Sequence, residues 1–135
     1  MQPLVFALDH IVLTVGNIDA TVAFYRDVMG MQAQKFTPAD GSTRWALTFG
    51  SQKINLHQAG AEFEPKAARP APGSADLCFF LSEIKLSDWI AHLRSNAIEL
   101  VDGPVARTGA TGPIVSIYLR DPDGNLLEIS NRSKA

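Results

Sequence analysis

Four side chains able to hold a metal ion, His10, His57, Asp76 and Glu128, fall at matching places in two stretches that look like copies of one another. Leu8-Asp9-His10-Ile11-Val12-Leu13-Thr14-Val15 is echoed by Ser74-Ala75-Asp76-Leu77-Cys78-Phe79-Phe80-Leu81, which sets His10 against Asp76. Each stretch leads into a helical segment and then into strand-like runs that close on Leu56-His57 and Leu127-Glu128, so matching the ends sets His57 against Glu128. Imidazole nitrogens and carboxylate oxygens are the usual donors to divalent ions. A repeat that cannot close its own core must pair with its copy, and the matched residues are then expected to converge. Taken singly, His10 and His57 read as satisfied core histidines. Asp76 and Glu128 on apolar strands are harder to place without a partner, because burying even a neutral polar group unpaired costs roughly 2–7 kcal/mol. Four such residues at equivalent places point to one shared acceptor of lone pairs, a divalent ion.

Other residues bear on a site more weakly. Arg107-Thr108-Gly109-Ala110-Thr111-Gly112-Pro113 surrounds an arginine with small and hydroxyl residues just before a site strand. It reads either as a carboxylate- or phosphate-binding segment or as a mobile surface loop. Tyr118 and Arg120 lie on the strand that follows, and one of them is expected to face the site. Cys78, two residues beyond Asp76, shares its strand face about 7 Å farther along; it either lines the site or is an inert buried thiol. Asp121-Pro122-Asp123-Gly124 is read as an architectural tight turn. Trp45 and Trp89 read as core or interface anchors, and His92 as an exposed helix residue.

The elements that must position these groups follow from periodicity. Leu8 to Val15 suits a strand. A helix follows, capped by Asp19 or Thr21, carrying the stripe Val22, Phe24, Tyr25 and Val28, and ended by Gly30. Strands Gln34 to Thr37, Trp45 to Phe49 and Lys53 to His57 form a meander through turns at Asp40-Gly41 and Gly50-Ser51. Residues 59–73 are too proline-rich for a regular element and are a connector or a cover over a site. The second copy predicts strand Ala75 to Leu81, helix Ser87 to Ser95, strands Glu99 to Asp102, Ile114 to Arg120 and Leu126 to Ser130, and a frayed polar tail. The fold class is therefore α+β, one domain of two β-α-β-β-β modules at about residues 5–58 and 74–131.

Composition narrows the function. The 135 residues carry 12 basic and 14 acidic side chains without runs, which leaves no electrostatic footprint for nucleic acid or an anionic membrane. No apolar run approaches the ~20 residues of a membrane span. The absence of a basic, cleavable leader and the single cysteine predict a cytoplasmic protein. A small-molecule substrate is the expected partner.

The tandem plan, Leu8-Asp9-His10-Ile11, Phe24-Tyr25, Leu47-Thr48-Phe49-Gly50 and Asp121-Pro122-Asp123-Gly124-Asn125-Leu126-Leu127-Glu128 together resemble the vicinal oxygen chelate superfamily of glyoxalase I, fosfomycin and bleomycin resistance proteins and extradiol dioxygenases. Ile54-Asn55-Leu56-His57, Glu62-Phe63-Glu64-Pro65-Lys66-Ala67 and Gly103-Pro104-Val105-Ala106-Arg107-Thr108-Gly109-Ala110 look like the glyoxalase domain-containing protein 5 group. The resemblance implies curved, cleft-bearing mixed sheets, a homodimer, and one divalent ion per site (Ni, Zn, Co, Mn or Fe) held by His10, His57, Asp76 and Glu128. Bacterial glyoxalase I would present His, Glu, His and Glu in that order, so acid and imidazole are exchanged here at the middle two places. By the same resemblance Glu128 is the catalytic base, and Arg107 and Lys66 would meet the carboxylates of a glutathione hemithioacetal; Thr108, Tyr118 and Cys78 complete the candidate substrate contacts. The alternatives are a metal-independent, antibiotic-type binding protein and an extradiol-type dioxygenase.

Overall fold

A computed structural model describes residues 2–81 and 84–133. The chain forms two compact units, Met1–Pro72 and Gly73–Ala135. In the first, strand β1 (His10–Val15) is followed by helix α1 (Ile18–Asp27) and by β2 (Gln32–Phe36), β3 (Arg44–Phe49) and β4 (Gln52–Gln58). The sheet order is β1-β4-β3-β2, with β1 parallel to β4 and the other pairs antiparallel. Alternation sends Leu13, Val15, Leu47, Ile54 and Leu56 to the buried face; Thr21, Val22 and Tyr25 of α1 and its C-cap Val28 are also buried. His10, Val12, Lys53, Asn55 and His57 take the other parity of β1 and β4.

The second unit repeats the plan with β5 (Asp76–Phe80), α2 (Leu86–Ser95), β6 (Asp102–Gly109), β7 (Gly112–Arg120) and β8 (Leu126–Arg132) in the order β5-β8-β7-β6. Its core holds Leu86, Leu93, Ile117, Leu119, Leu127 and Ile129, and Asp76, Cys78, Tyr118 and Glu128 take the opposite parity. The two β-α-β-β-β sheets bear out the α+β expectation. Among the described residues, no helix is long and apolar enough to cross a membrane.

Several boundaries differ from the sequence reading. Helix α1 is capped by Asn17, not Asp19 or Thr21: Asn17 is extended at φ −148° and its side chain accepts from the Ala20 amide at 2.9 Å. Strand β1 starts at His10, leaving Leu4, Val5, Phe6 and Leu8 exposed. His92 is half-buried and packs edge-on against Trp89 at 5.2 Å. The largest correction is β6, which runs from Asp102 to Gly109 where a strand ending at Asp102 and a loop were expected. Gly103-Pro104 reads as a breaker, but the ladder absorbs it as an irregularity between Asp102 and Val105. Gly103 has φ 98°, and a side chain there would collide with the Ser116 carbonyl. The expected frayed tail from Ser130 instead continues β8 to Arg132.

Candidate metal centre

The ladders decide which residues of the two units are counterparts. In the second unit Asp76 stands opposite Leu126 and Cys78 opposite Glu128, so Glu128 lies two steps up the ladder from Asp76. In the first, His10 stands opposite Lys53 and Val12 opposite Asn55. Asn55, not His57, is therefore the counterpart of Glu128. His57, opposite Thr14, corresponds to Ser130, opposite Phe80. Matching the strand ends misleads because β8 continues four residues past Glu128 while β4 passes His57 by one. His10 and His57 lie four ladder steps apart, about 13 Å along the strands, and are not brought together. Among the described residues no group of three or more His, Cys, Asp or Glu is close enough to hold an ion; the candidate donors come as pairs, one to each unit.

Each pair has a supporting structure. His10 Nδ1 is 2.8 Å from Asp9 Oδ2, which orients the ring with Nε2 pointing away from that bond, the usual arrangement behind a metal-ligating imidazole. The bond to His10 holds the Asp9 carboxyl below its ordinary value. Asn55 Oδ1 is buried and has no hydrogen-bond partner among the described residues. Its only signature in the sequence is a polar residue between two buried ones, Ile54 and Leu56; an amide is easily passed over beside carboxylates. Glu128 Oε2 accepts from Ser116 Oγ at 2.5 Å, Ser116 and Ser130 hydroxyls are 2.7 Å apart, and Cys78 Sγ is 3.4 Å from Ser130 Oγ. Ser116 and Ser130 are fully buried, so this chain across three strands fixes one Glu128 oxygen. Burial pushes the Cys78 thiol up, against the pull of the Ser130 hydrogen bond, and nearby Glu128 adds to the rise.

Tyr118 stands opposite Glu128, and its hydroxyl accepts from Arg107 Nε at 3.0 Å. The guanidinium carbon lies 5.5 Å from the ring centroid, and Arg107 also donates to the Ala106 carbonyl at 2.9 Å. Arg107 is thus a strand residue on the Glu128 face, not a loop residue. Thr108 is next along β6 and falls on the opposite face, which removes it from the set. Arg120 donates to the Gly124 carbonyl at 3.2 Å and belongs to the hairpin. In that hairpin Asp121 Oδ1 accepts from the Asp123 and Asn125 amides and Oδ2 from the Asn125 side chain, at 2.8–2.9 Å. Asn125 Oδ1 in turn accepts from the Ala75 amide at 2.8 Å, so the turn ties the start of β5, beside Asp76, to the start of β8.

The proline-rich segment covers His57 within the first unit. The Phe63 ring lies edge-on to His57 at 5.5 Å and beneath the Arg44 guanidinium at 3.8 Å. Arg44 is braced by Asp40 at 2.8 Å and Ser42 at 3.0 Å, and Lys66 Nζ is 3.4 Å from Glu64. Desolvation, with Arg44 and Lys66 outweighing Glu62, holds the His57 imidazole below its ordinary value. The Ser42 hydroxyl and amide, then Arg44, hold Asp40 down to about 2. A lowered carboxyl stabilises the fold above its unfolded value, near 3.9, and that contribution is lost as pH falls toward about 2. Carboxyl-carbon NMR should titrate Asp40 near that value, and Ser42→Ala should move it upward.

Residues 7–129 match the family described as the Glyoxalase/Bleomycin resistance protein/Dioxygenase superfamily. The virulence protein STM3117 of Salmonella typhimurium is 54% identical over 130 residues, 96% of this chain and 87% of that protein. The glyoxalase domain-containing protein RDO1 of Mycosarcoma maydis is 53% identical, over 96% of this chain and 70% of its own length. A solved structure from the mobile metagenome of V. pseudocholerae aligns at TM-score 0.92 and 51% identity, covering 99% and 100% of the two chains. Lactoylglutathione lyase from Agrobacterium tumefaciens aligns at 0.68 and 26%, covering 92% of each.

Proposed function

We propose, for a chain that belongs to the Glyoxalase/Bleomycin resistance protein/Dioxygenase superfamily, that it is a divalent-metal-dependent enzyme acting on a small substrate with two adjacent oxygens. The proposed donors are a pair from each unit, His10 with Asn55 and Asp76 with Glu128, with Asn55 in the place first expected of His57. The observation that carries the reading is the unpartnered, buried Asn55 Oδ1 at the ladder position equivalent to Glu128. A buried acceptor left unpaired costs about 1–3 kcal/mol, and ligating a cation would satisfy it. Imidazole, amide and carboxylate donors suit an ion tolerant of oxygen, manganese or ferrous iron before a thiophilic one.

When bound, the ion would supply Lewis-acid polarisation of the substrate oxygens. The chain's own residues do the rest. Glu128, held through Oε2 by Ser116, takes the substrate proton on Oε1. Tyr118 and Arg107, on the same face, offer a phenol and a guanidinium to an anionic end of the substrate. The likeness to lactoylglutathione lyase makes the hemithioacetal of glutathione the first substrate to assay. The exposed apolar stretch Leu4, Val5, Phe6 and Leu8 and the free cysteine favour a homodimer and a reducing, cytoplasmic setting.

Metal analysis tests this reading. Protein equilibrated with manganese, iron, cobalt, nickel or zinc should retain about one ion per chain, and His10→Ala should weaken retention by about 100-fold or more, beyond the 10–100-fold typical of losing an outer support. If metal-free and metal-soaked protein melt at the same temperature and His10→Ala alters neither metal content nor ligand binding, the donors are a structural polar cluster and a metal-free binding protein replaces the enzyme.

A further inference from the structure

His57 is a further group of the first unit with no partner for its polar atoms among the described residues. It is 7% exposed, yet its imidazole has no hydrogen bond among the described residues; its neighbours are the edge of Phe63 and the charges of Arg44, Glu62 and Lys66. A buried imidazole normally fixes its tautomer by a bond at one nitrogen and uses the other. This one has both to offer. Arg44 faces it across the strands, one step beyond the Trp45–Leu56 pair. The Arg44 Nε and Nη2 are taken by Ser42 and Asp40, which leaves Nη1 to donate. The Phe63 ring fixes the guanidinium plane from one side, and the Asp40–Ser42 brace fixes it from another. His57 and Asn55 lie two residues apart on β4, so a group bonded to His57 would sit about 7 Å along the strand from Asn55.

We propose that His57 and Arg44 form a recognition subsite for a carboxylate of a small molecule. The imidazole N–H and the Arg44 Nη1–H donate to its two oxygens, and Phe63 shields the pair from water. Carboxylate is the class that fits, because both available groups act as donors and the field at His57 comes from Arg44 and Lys66 against Glu62. The subsite deepens the proposed enzymatic reading by naming an anionic end for its substrate, but it is built from first-unit residues alone and does not need the ion. His57 thus acts in recognition, not as a metal ligand.

The probe is pyruvate, the smallest convenient carboxylate with an adjacent carbonyl, titrated into full-length protein in EDTA while the imidazole nitrogens are followed by NMR. The His57 resonances are expected to shift saturably and those of His92 to stay still. His57→Ala should weaken pyruvate binding about tenfold, the equivalent of one net hydrogen bond, and His57→Gln, which retains an N–H, should recover part of that. Manganese retention by His57→Ala should equal that of the wild type. The proposal is overturned if pyruvate gives no saturable shift of His57 up to about 50 mM, well above a millimolar Kd, or if His57→Ala loses manganese as His10→Ala does. Failure of wild-type protein to retain any ion would sink the enzymatic reading, while the pyruvate titration would still decide the subsite.

Discussion

Glu128→Gln is expected to lower turnover of the methylglyoxal–glutathione hemithioacetal by about 10²–10⁴-fold, the range that general-base catalysis supplies. The amide keeps an oxygen to accept from Ser116 Oγ and has nearly the shape of the carboxylate it replaces, so the fold should be unaffected. What it lacks is the lone pair that takes a proton. The fall should appear in kcat with KM little changed, since an interaction used only in the transition state is lost. Metal content is measured alongside, because Glu128 is also a proposed donor and loss of the ion would remove activity by another route. Turnover equal to that of the wild type in a variant that keeps its ion would place the base elsewhere.

Asp121→Ala is expected to be the most destabilising change outside the apolar core. It strips the acceptors from the Asp123 and Asn125 amides and from the Asn125 side chain, and Asn125 is 1% exposed. Orphaning buried donors costs about 1–3 kcal/mol each, so a total near 3 kcal/mol and a melting point lower by about 10 °C are expected. Asp121→Asn retains one acceptor and should lose about half as much. Because Asn125 also holds the Ala75 amide, amide exchange at Ala75 should quicken in Asp121→Ala before any global unfolding. Unchanged melting would mean that water replaces the carboxylate at the turn.

Much of the architecture was legible in the residues because the signals were redundant. Apolar alternation in Leu8 to Val15 and in Ile114 to Arg120, a helical stripe ending in Gly30, and the Asp-Pro-Asp-Gly turn each agreed with the repeat. The strand β6 was hidden because Gly103-Pro104 carries the local signature of a break, and only the ladder with β7 shows that the sheet tolerates it. The donor set was half legible. His10 and Asp76 could be aligned from the strand-like stretches that hold them, but the match of His57 to Glu128 depended on where two strands end. Strand ends are decided by tertiary pairing, here by β8 reaching Arg132. Asn55 was invisible for a different reason: an amide between apolar neighbours becomes conspicuous only once its oxygen is found without a donor. Likewise Ser116 and Ser130 looked like ordinary strand residues until the Ser116 hydroxyl was seen to reach Glu128 and that of Ser130 to reach Ser116.

In each unit the sheet is sealed by a parallel pairing of its first and last strands, across 43 residues for β1 with β4 and 50 for β5 with β8. The other pairings join strands adjacent in sequence and close short loops. Chain-closure entropy therefore puts the hairpins first and the parallel ladders last in the order of assembly. All four proposed donors sit on those late strands. The proposed donor pairs thus do not exist in the nascent meanders and come into being at the final zipping of each unit. Ion capture would then mark completed folding rather than template it, and refolding rates should be indifferent to added metal while unfolding slows.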